Sequence, residues 1–247
     1  EAEVEYLKKH GVELNWEKAQ YSVNQGIWGT SVGGKETLTS NQALPEEAFP
    51  SQLIKLVSET HTLEFKKGEL VGIDDFGFDH PTLAIQKLQE LAAPFAIGRD
   101  THVGDTIIGI KGRVGFEAAA PMIIIKGHQL LEKHVLTKWQ QYWKEQLGNW
   151  YGMLLHEGQY LDPVMRNIET FLEDTQQYVS GKVKVKLLPY RFELIGIESD
   201  YDLMNAKFGS YGEMNKTWSG EDVKAFTKIL ANQIKIHHNV HSQKTKT

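Results

Sequence analysis

Lys182–Ser199 reads KVKVKLLPYRFELIGIES. Valine and leucine alternate with lysine up to Leu188, Pro189–Tyr190 interrupts, and a second β-rich run follows. Alternation at period two places one face toward a core, and a Pro-led pair between two such runs predicts a β-hairpin. Upstream, His61–Asp74 (HTLEFKKGELVGID) repeats the pattern around KKGE and predicts another. Between them the period changes to that of helices. Phe78–Phe95 reads as a helix with Asp79 as N-cap and Pro81 in its first turn. A long helical pattern runs from about Met122 to Leu155 with a break near Gly148, and another from Asp162 to Val179, ended by Gly181. Hairpins and long helices without a βαβ rhythm give an α+β fold: hairpins and a mixed sheet packed with long helices.

The ends are helical too. EAEVEYLKKHG has Lys8 and Lys9 in a last turn and Gly11 as its stop. Glu1 already stands inside this pattern, which reads as a chain beginning within a longer protein. A final helix starts at Ser219, with Glu221 and Asp222 suiting its dipole, and runs through KIHHNVH to a frayed tail, QKTKT.

At 247 residues, with 40% apolar and 24% charged residues, the chain can bury a sizeable core. A net charge of −5 without a basic stripe gives no footprint for nucleic acid. The absence of cysteine removes disulfides, thiolate chemistry and cysteine-bound metal, and favours a cytoplasmic setting. No apolar run approaches the length of a membrane span.

Two glycine-rich polar stretches, 21–40 and 98–121, hold the candidate chemistry. In the first, YSVNQGIWGTSVGGKETL, Gly29–Lys35 has phosphate-loop spacing. Glu36 stands where that loop needs a magnesium-binding hydroxyl, and a carboxylate there would oppose phosphate. Asp74–Gly77 (DDFG) lacks the companions of a kinase magnesium loop, so Asp74, Asp75 and Asp79 read as turn and cap residues. His237 and His241 lie four apart without a third ligand and make no metal site. Trp139, Tyr142, Trp143, Trp150 and Tyr151 share a helical spacing that suits a core or an oligomer interface.

Read in order, YSVNQGIWGTSVGGKE, PEEAFP, IGRDTHVGDTIIGIKGRVGFEAAAP, LDPVMRNIETFLEDTQQYVSGKVKVKL and YGEMNKTWSGEDVKAF resemble argininosuccinate synthase over nearly the whole chain. Nothing matches that family's SGGLDTS pyrophosphatase loop. The resemblance therefore implies a single C-terminal synthetase/multimerisation domain over 1–247 of a divergent subtype, without the N-terminal ATP-binding domain. It implies a ligase that joins citrulline to aspartate with cleavage of ATP to AMP and pyrophosphate, in cytoplasmic arginine biosynthesis. ATP with Mg2+ would sit on the missing domain and none on this chain, which alone would be inactive. The assembly would be a homotetramer with the long helices and the C-terminal helix at its interfaces.

By the same resemblance Ser22 and Ser31 bind citrulline, and Lys111, Arg113 and Glu117 support the site. The family writes the second stretch GRxDxVENRxxGxKSRGxYETP. Here its glutamate falls on Gly104 and its tyrosine on Phe116, both citrulline contacts. Either Asp105 takes over the carboxylate's role, or the substrate is an N-acylated citrulline that has no α-ammonium to pair. The rival class is a stand-alone oligomerisation or ligand-binding module.

Overall fold

A computed structural model describes residues 2–13, 21–205 and 217–244. Its elements are α1 (Ala2–Lys9), β1 (Ser22–Gly26), β2 (Gly29–Gly33), β3 (Glu59–Lys66), β4 (Glu69–Ile73), β5 (Phe76–Gly77), α2 (Pro81–Ala92), β6 (Arg99–Asp105), β7 (Lys111–Glu117), α3 (Ala119–Val135), α4 (Lys138–His156), α5 (Pro163–Thr175), β8 (Gly181–Leu188), β9 (Arg191–Glu198), α6 (Gly220–Leu230) and α7 (Asn232–Lys244). The fold is α+β. Contacts divide the chain into two compact units, Glu1–Asp202 and Leu203–Thr247. No helix among the described residues is long and apolar enough to cross a membrane.

Unit one holds two sheets. The first has strand order β5-β4-β3-β8-β9, the second β1-β2-β7-β6. Every described pairing is antiparallel, so neither sheet is the mixed sheet expected, because each strand pairs with a hairpin partner or a strand running back beside it. Both expected hairpins form. The β3–β4 turn places Lys67 and Gly68 at φ 50° and 83°, the doubly positive conformation that matches strand twist. In the β8–β9 turn Pro189 precedes Tyr190 at φ 64°.

Period-two burial sets the core. Leu63 and Phe65 of β3 and Val183, Val185 and Leu187 of β8 point to the face covered by Ala84 and Leu88 of α2 and Ile123 and Leu131 of α3. Each such large side chain contributes about 1.5–3 kcal/mol through burial. A smaller cluster, Leu154, Met165 and Ile168, joins α4 to α5.

Several local expectations shift. His80, not Asp79, caps α2: its Nδ1 accepts from the Thr82 amide at 3.2 Å, and Pro81 stands in the first turn as expected. The long helix breaks at Leu136–Thr137 rather than at Gly148, because the Thr137 backbone turns extended and its amide is capped by Gln140 Oε1 at 3.0 Å. Gly148 lies inside α4, where a Cβ would meet nothing within 4 Å. Helix α5 ends at Thr175, and Gly181 opens β8 instead of stopping a helix. Asp74 serves a turn, as expected: it sits at φ 54° and accepts from the Thr62 amide at 2.8 Å.

The aromatic stripe is not core within this chain. Trp139, Tyr142, Trp143 and Trp150 are exposed, while Tyr151 packs on the α4–α5 cluster. In unit two a helix starts after Ser219 as expected, with Ser219 as its cap. The expected single final helix is two, α6 ending at Leu230 and α7 starting at Asn232, and His237 stacks on His241 along α7. Among the described residues no three His, Asp or Glu side chains converge to hold a metal ion. Residues 245–247 of the expected frayed tail and 211–216 of the YGEMNK segment lie outside the described residues.

Candidate substrate-binding site

The first stretch opens as a hairpin, Ser22–Gly26 against Gly29–Gly33, and a short 3-10 turn follows at Lys35–Leu38. Gly26 pairs with Gly29 across Ile27–Trp28, and Ser22 pairs with Gly33. Gly29 has φ 133°, and a Cβ there would stand 2.6 Å from the Phe116 ring, so only glycine lets β2 lie against β7 at this point. The phosphate-loop reading fails on the same geometry. Gly29–Gly33 is strand, no α-helix opens after Lys35, and the Glu36 carboxylate is buried where a hydroxyl would be needed.

Register then sorts the candidate residues onto two faces. Asn24 opposes Ser31, Ser31 opposes Phe116, and Phe116 opposes Asp100, making one row across all four strands. Side chains two residues along a strand share a face. Ser22, Ser31, Phe116 and Gly104 therefore lie on one face together with Asp100 and His102. The edge-to-face contact of the His102 and Phe116 rings, 5.3 Å between centroids, follows from this placement. Gly104 opposes Gly112, and a Cβ on either would meet nothing within 4 Å, so the floor beside these side chains is open.

Asp105, Lys111, Arg113 and Glu117 alternate onto the opposite face. The structure thus does not bring Asp105 to the serines: its side chain pairs with Lys111 on the facing strand. Arg113 and Glu117 hold the sheet on the segment beneath it. Arg113 donates to the carbonyls of Glu36 at 2.9 Å, Thr39 at 2.5 Å and Gln42 at 2.7 Å. Glu117, 4% exposed, accepts from Arg99 Nε at 2.9 Å and from the Ser51 amide at 3.3 Å. Arg99 also reaches Glu46 and the Ser51 carbonyl, and lies over the Phe49 ring. A hydrogen bond from the Tyr190 hydroxyl, then the Arg99 guanidinium, hold the Glu46 carboxyl below its usual range.

A separate concavity of about 700 Å3 opens between the β3–β4 turn, α3, α4 and α5, lined among others by Lys67, His128, Lys144, Tyr151 and Gln176. One linked network joins two of its side chains, His128 and Lys144, to Glu132. His128 Nε2 meets Gln176 Oε1 at 2.8 Å, the Gln176 amide donates to Glu132 at 2.9 Å, and Lys144 pairs with Glu132 at 2.7 Å. Burial, outweighing the nearby Glu132 carboxylate, pushes the His128 pKa down. A base with a lowered folded-state pKa binds its proton first in the unfolded chain, so stability drops as pH falls below about 6.5. Thermal melts from neutral to mildly acidic pH should show this loss, and His128→Gln should flatten it; an unchanged slope would remove His128 as its source.

The pattern for the family described as "Arginosuccinate synthase C-terminal domain" matches residues 21–237, spanning both glycine-rich stretches. The chain belongs to the argininosuccinate synthase family. Curated family members similar to it include the "Argininosuccinate synthase" of Methanocaldococcus jannaschii, 31% identical over 85% of this chain and 54% of the relative. That of Pyrococcus furiosus is 32% identical over 96% and 58%, and that of Xanthomonas campestris 30% over 92% and 57%. The chain spans a little over half the length of these relatives. Within this argininosuccinate synthase family member, sequence reading singled out neither Asp100 nor His102. The available signal was their i, i+2 spacing with Gly104 on a strand paired to Phe116, but only register shows that they share the serines' face.

Proposed function

We propose that this chain is the C-terminal part of a ligase that joins citrulline, or an N-acylated citrulline, to aspartate with cleavage of ATP to AMP and pyrophosphate. The observation that carries the reading is the open sheet face on which Ser22, Ser31 and Phe116 converge, in a member of this family. In the first step the ureido oxygen attacks the α-phosphorus, forming an O–P bond as pyrophosphate leaves. In the second the aspartate amine attacks the activated carbon, the C–O bond to AMP breaks and the amine gives up a proton. A neutral ureido group is a weak nucleophile, so the chief demand on this face is positioning. Serine hydroxyls meet it because they donate and accept without adding charge near the phosphates.

ATP with its Mg2+ is proposed to bind a part of the protein outside these residues, as the family resemblance implies. A homotetramer is proposed, with the exposed aromatic face of α4 and the apolar side chains Phe226, Ile229 and Leu230 of α6 at its interfaces. The setting is proposed to be cytoplasmic arginine biosynthesis.

The test is citrulline- and aspartate-dependent pyrophosphate release by the full-length protein. Ser31→Ala should raise KM for citrulline about tenfold, the worth of one hydrogen bond to a bound ligand, with KM for ATP little changed. Absence of pyrophosphate release with either citrulline form would favour a binding or oligomerisation module instead.

A further inference from the structure

We infer that Asp100 and His102 form the clamp for the α-amino-acid end of the substrate, so that the substrate is citrulline with a free α-ammonium and α-carboxylate. This rests on the ligase reading above and names the specificity residues of the same face. The family's glutamate position is Gly104 here, and its neighbour Asp105 points to the other face, where Lys111 neutralises it. A free α-ammonium needs a carboxylate on the face that carries the serines. On the four strands Asp100 supplies the only one on that face, in the same cross-strand row as Ser31 and Phe116.

Two strand spacings separate Ser31 from Asp100, about 10 Å. A ureido group held at the serines and an extended aliphatic chain lying past Phe116 bring the amino-acid end to Asp100. His102 stands two residues on, on the same face, and offers an imidazole N–H to the α-carboxylate. Neither side chain is committed elsewhere. Asp100 is exposed, and among the described residues its one hydrogen bond comes from the Thr101 amide to Oδ1 at 2.7 Å. His102 makes its ring contact with Phe116 and no hydrogen bond among the described residues. Acid and imidazole at i, i+2 on one strand thus match a zwitterion, and glycines 104 and 112 leave the floor beneath it clear.

The experiment measures pyrophosphate release by the full-length protein, wild type and Asp100→Asn, with citrulline and with N-acetylcitrulline. The expected result is that wild type prefers citrulline. Asp100→Asn should raise KM for citrulline about 10- to 100-fold, the range for a hydrogen bond to a charged group, with kcat changed much less and KM for aspartate steady. Asp100→Glu should recover part of the loss. Asp100 is exposed, so both variants should fold; matching thermal melts verify this, and the wild-type substrate preference needs no variant. An unchanged KM in folded Asp100→Asn, or a wild type that prefers N-acetylcitrulline, overturns the clamp and leaves the ligase reading standing. Wild type inactive with both substrates overturns the ligase reading, and the clamp with it.

Discussion

Arg99→Ala is expected to destabilise the protein by about 3–5 kcal/mol, because it strands a buried carboxylate. The Glu117 side chain is 3% exposed and that of Arg99 11%, with Nε and Oε2 2.9 Å apart. Without Arg99, the one partner left to Glu117 among the described groups is the Ser51 amide. The same change releases Glu46 and the Ser51 carbonyl, and with them the segment that covers the underside of the four-stranded sheet. For a chain of this length the melting temperature should fall by roughly 10 °C. Replacing both partners by apolar residues, Arg99→Met with Glu117→Leu, should cost far less than Arg99→Ala, since no orphaned charge remains. Denaturant melts of the single and double variants measure this. If the double variant is as unstable as Arg99→Ala, packing rather than the stranded charge holds the segment.

Phe65→Ala should cost a similar amount, about 3–5 kcal/mol, for a different reason. Phe65 is 2% exposed at the centre of the main core. It lies under α3 at Gly127, where a Cβ would make ordinary contact, 3.9 Å from the ring and 3.6 Å from Leu63. Its ring also meets that of His128, 5.7 Å between centroids. Truncation leaves a cavity that the flanking β3–β4 and β3–β8 pairings keep from collapsing. A loss below about 1.5 kcal/mol would mean that the helix settles into the space. The cavity should also admit water beside His128 and weaken the pH dependence of stability described for that residue.

Both effects arise where the sequence was partly legible. The two long hairpins are written in local signals: alternation through 182–188, KKGE at 66–69, and Pro189–Tyr190 all act within a few residues. Local competition decided the details that shifted. His80 is one residue nearer Pro81 than Asp79 and its ring nitrogen reaches the Thr82 amide, and Thr137 with Gln140 makes a stronger break than an isolated Gly148. The glycine-rich stretch gave no clear strand signal because glycines at 26, 29, 33 and 34 interrupt the alternation around Val23, Thr30 and Val32. Pairing to β7, far away in sequence, makes it a sheet.

From its own residues the chain determined its α+β class, its main hairpins, the helices between them and its family, because propensity, turn chemistry and motif order are properties of short segments. Which side of a sheet a residue occupies depends on strand pairing across more than eighty positions, as between Ser31 and Phe116. A one-residue step along a strand moves a side chain to the other face. That is why Asp105, adjacent to Gly104, is turned from the serines and paired with Lys111, while Asp100 shares their face two strands away: only the tertiary register of β2, β7 and β6 decided it.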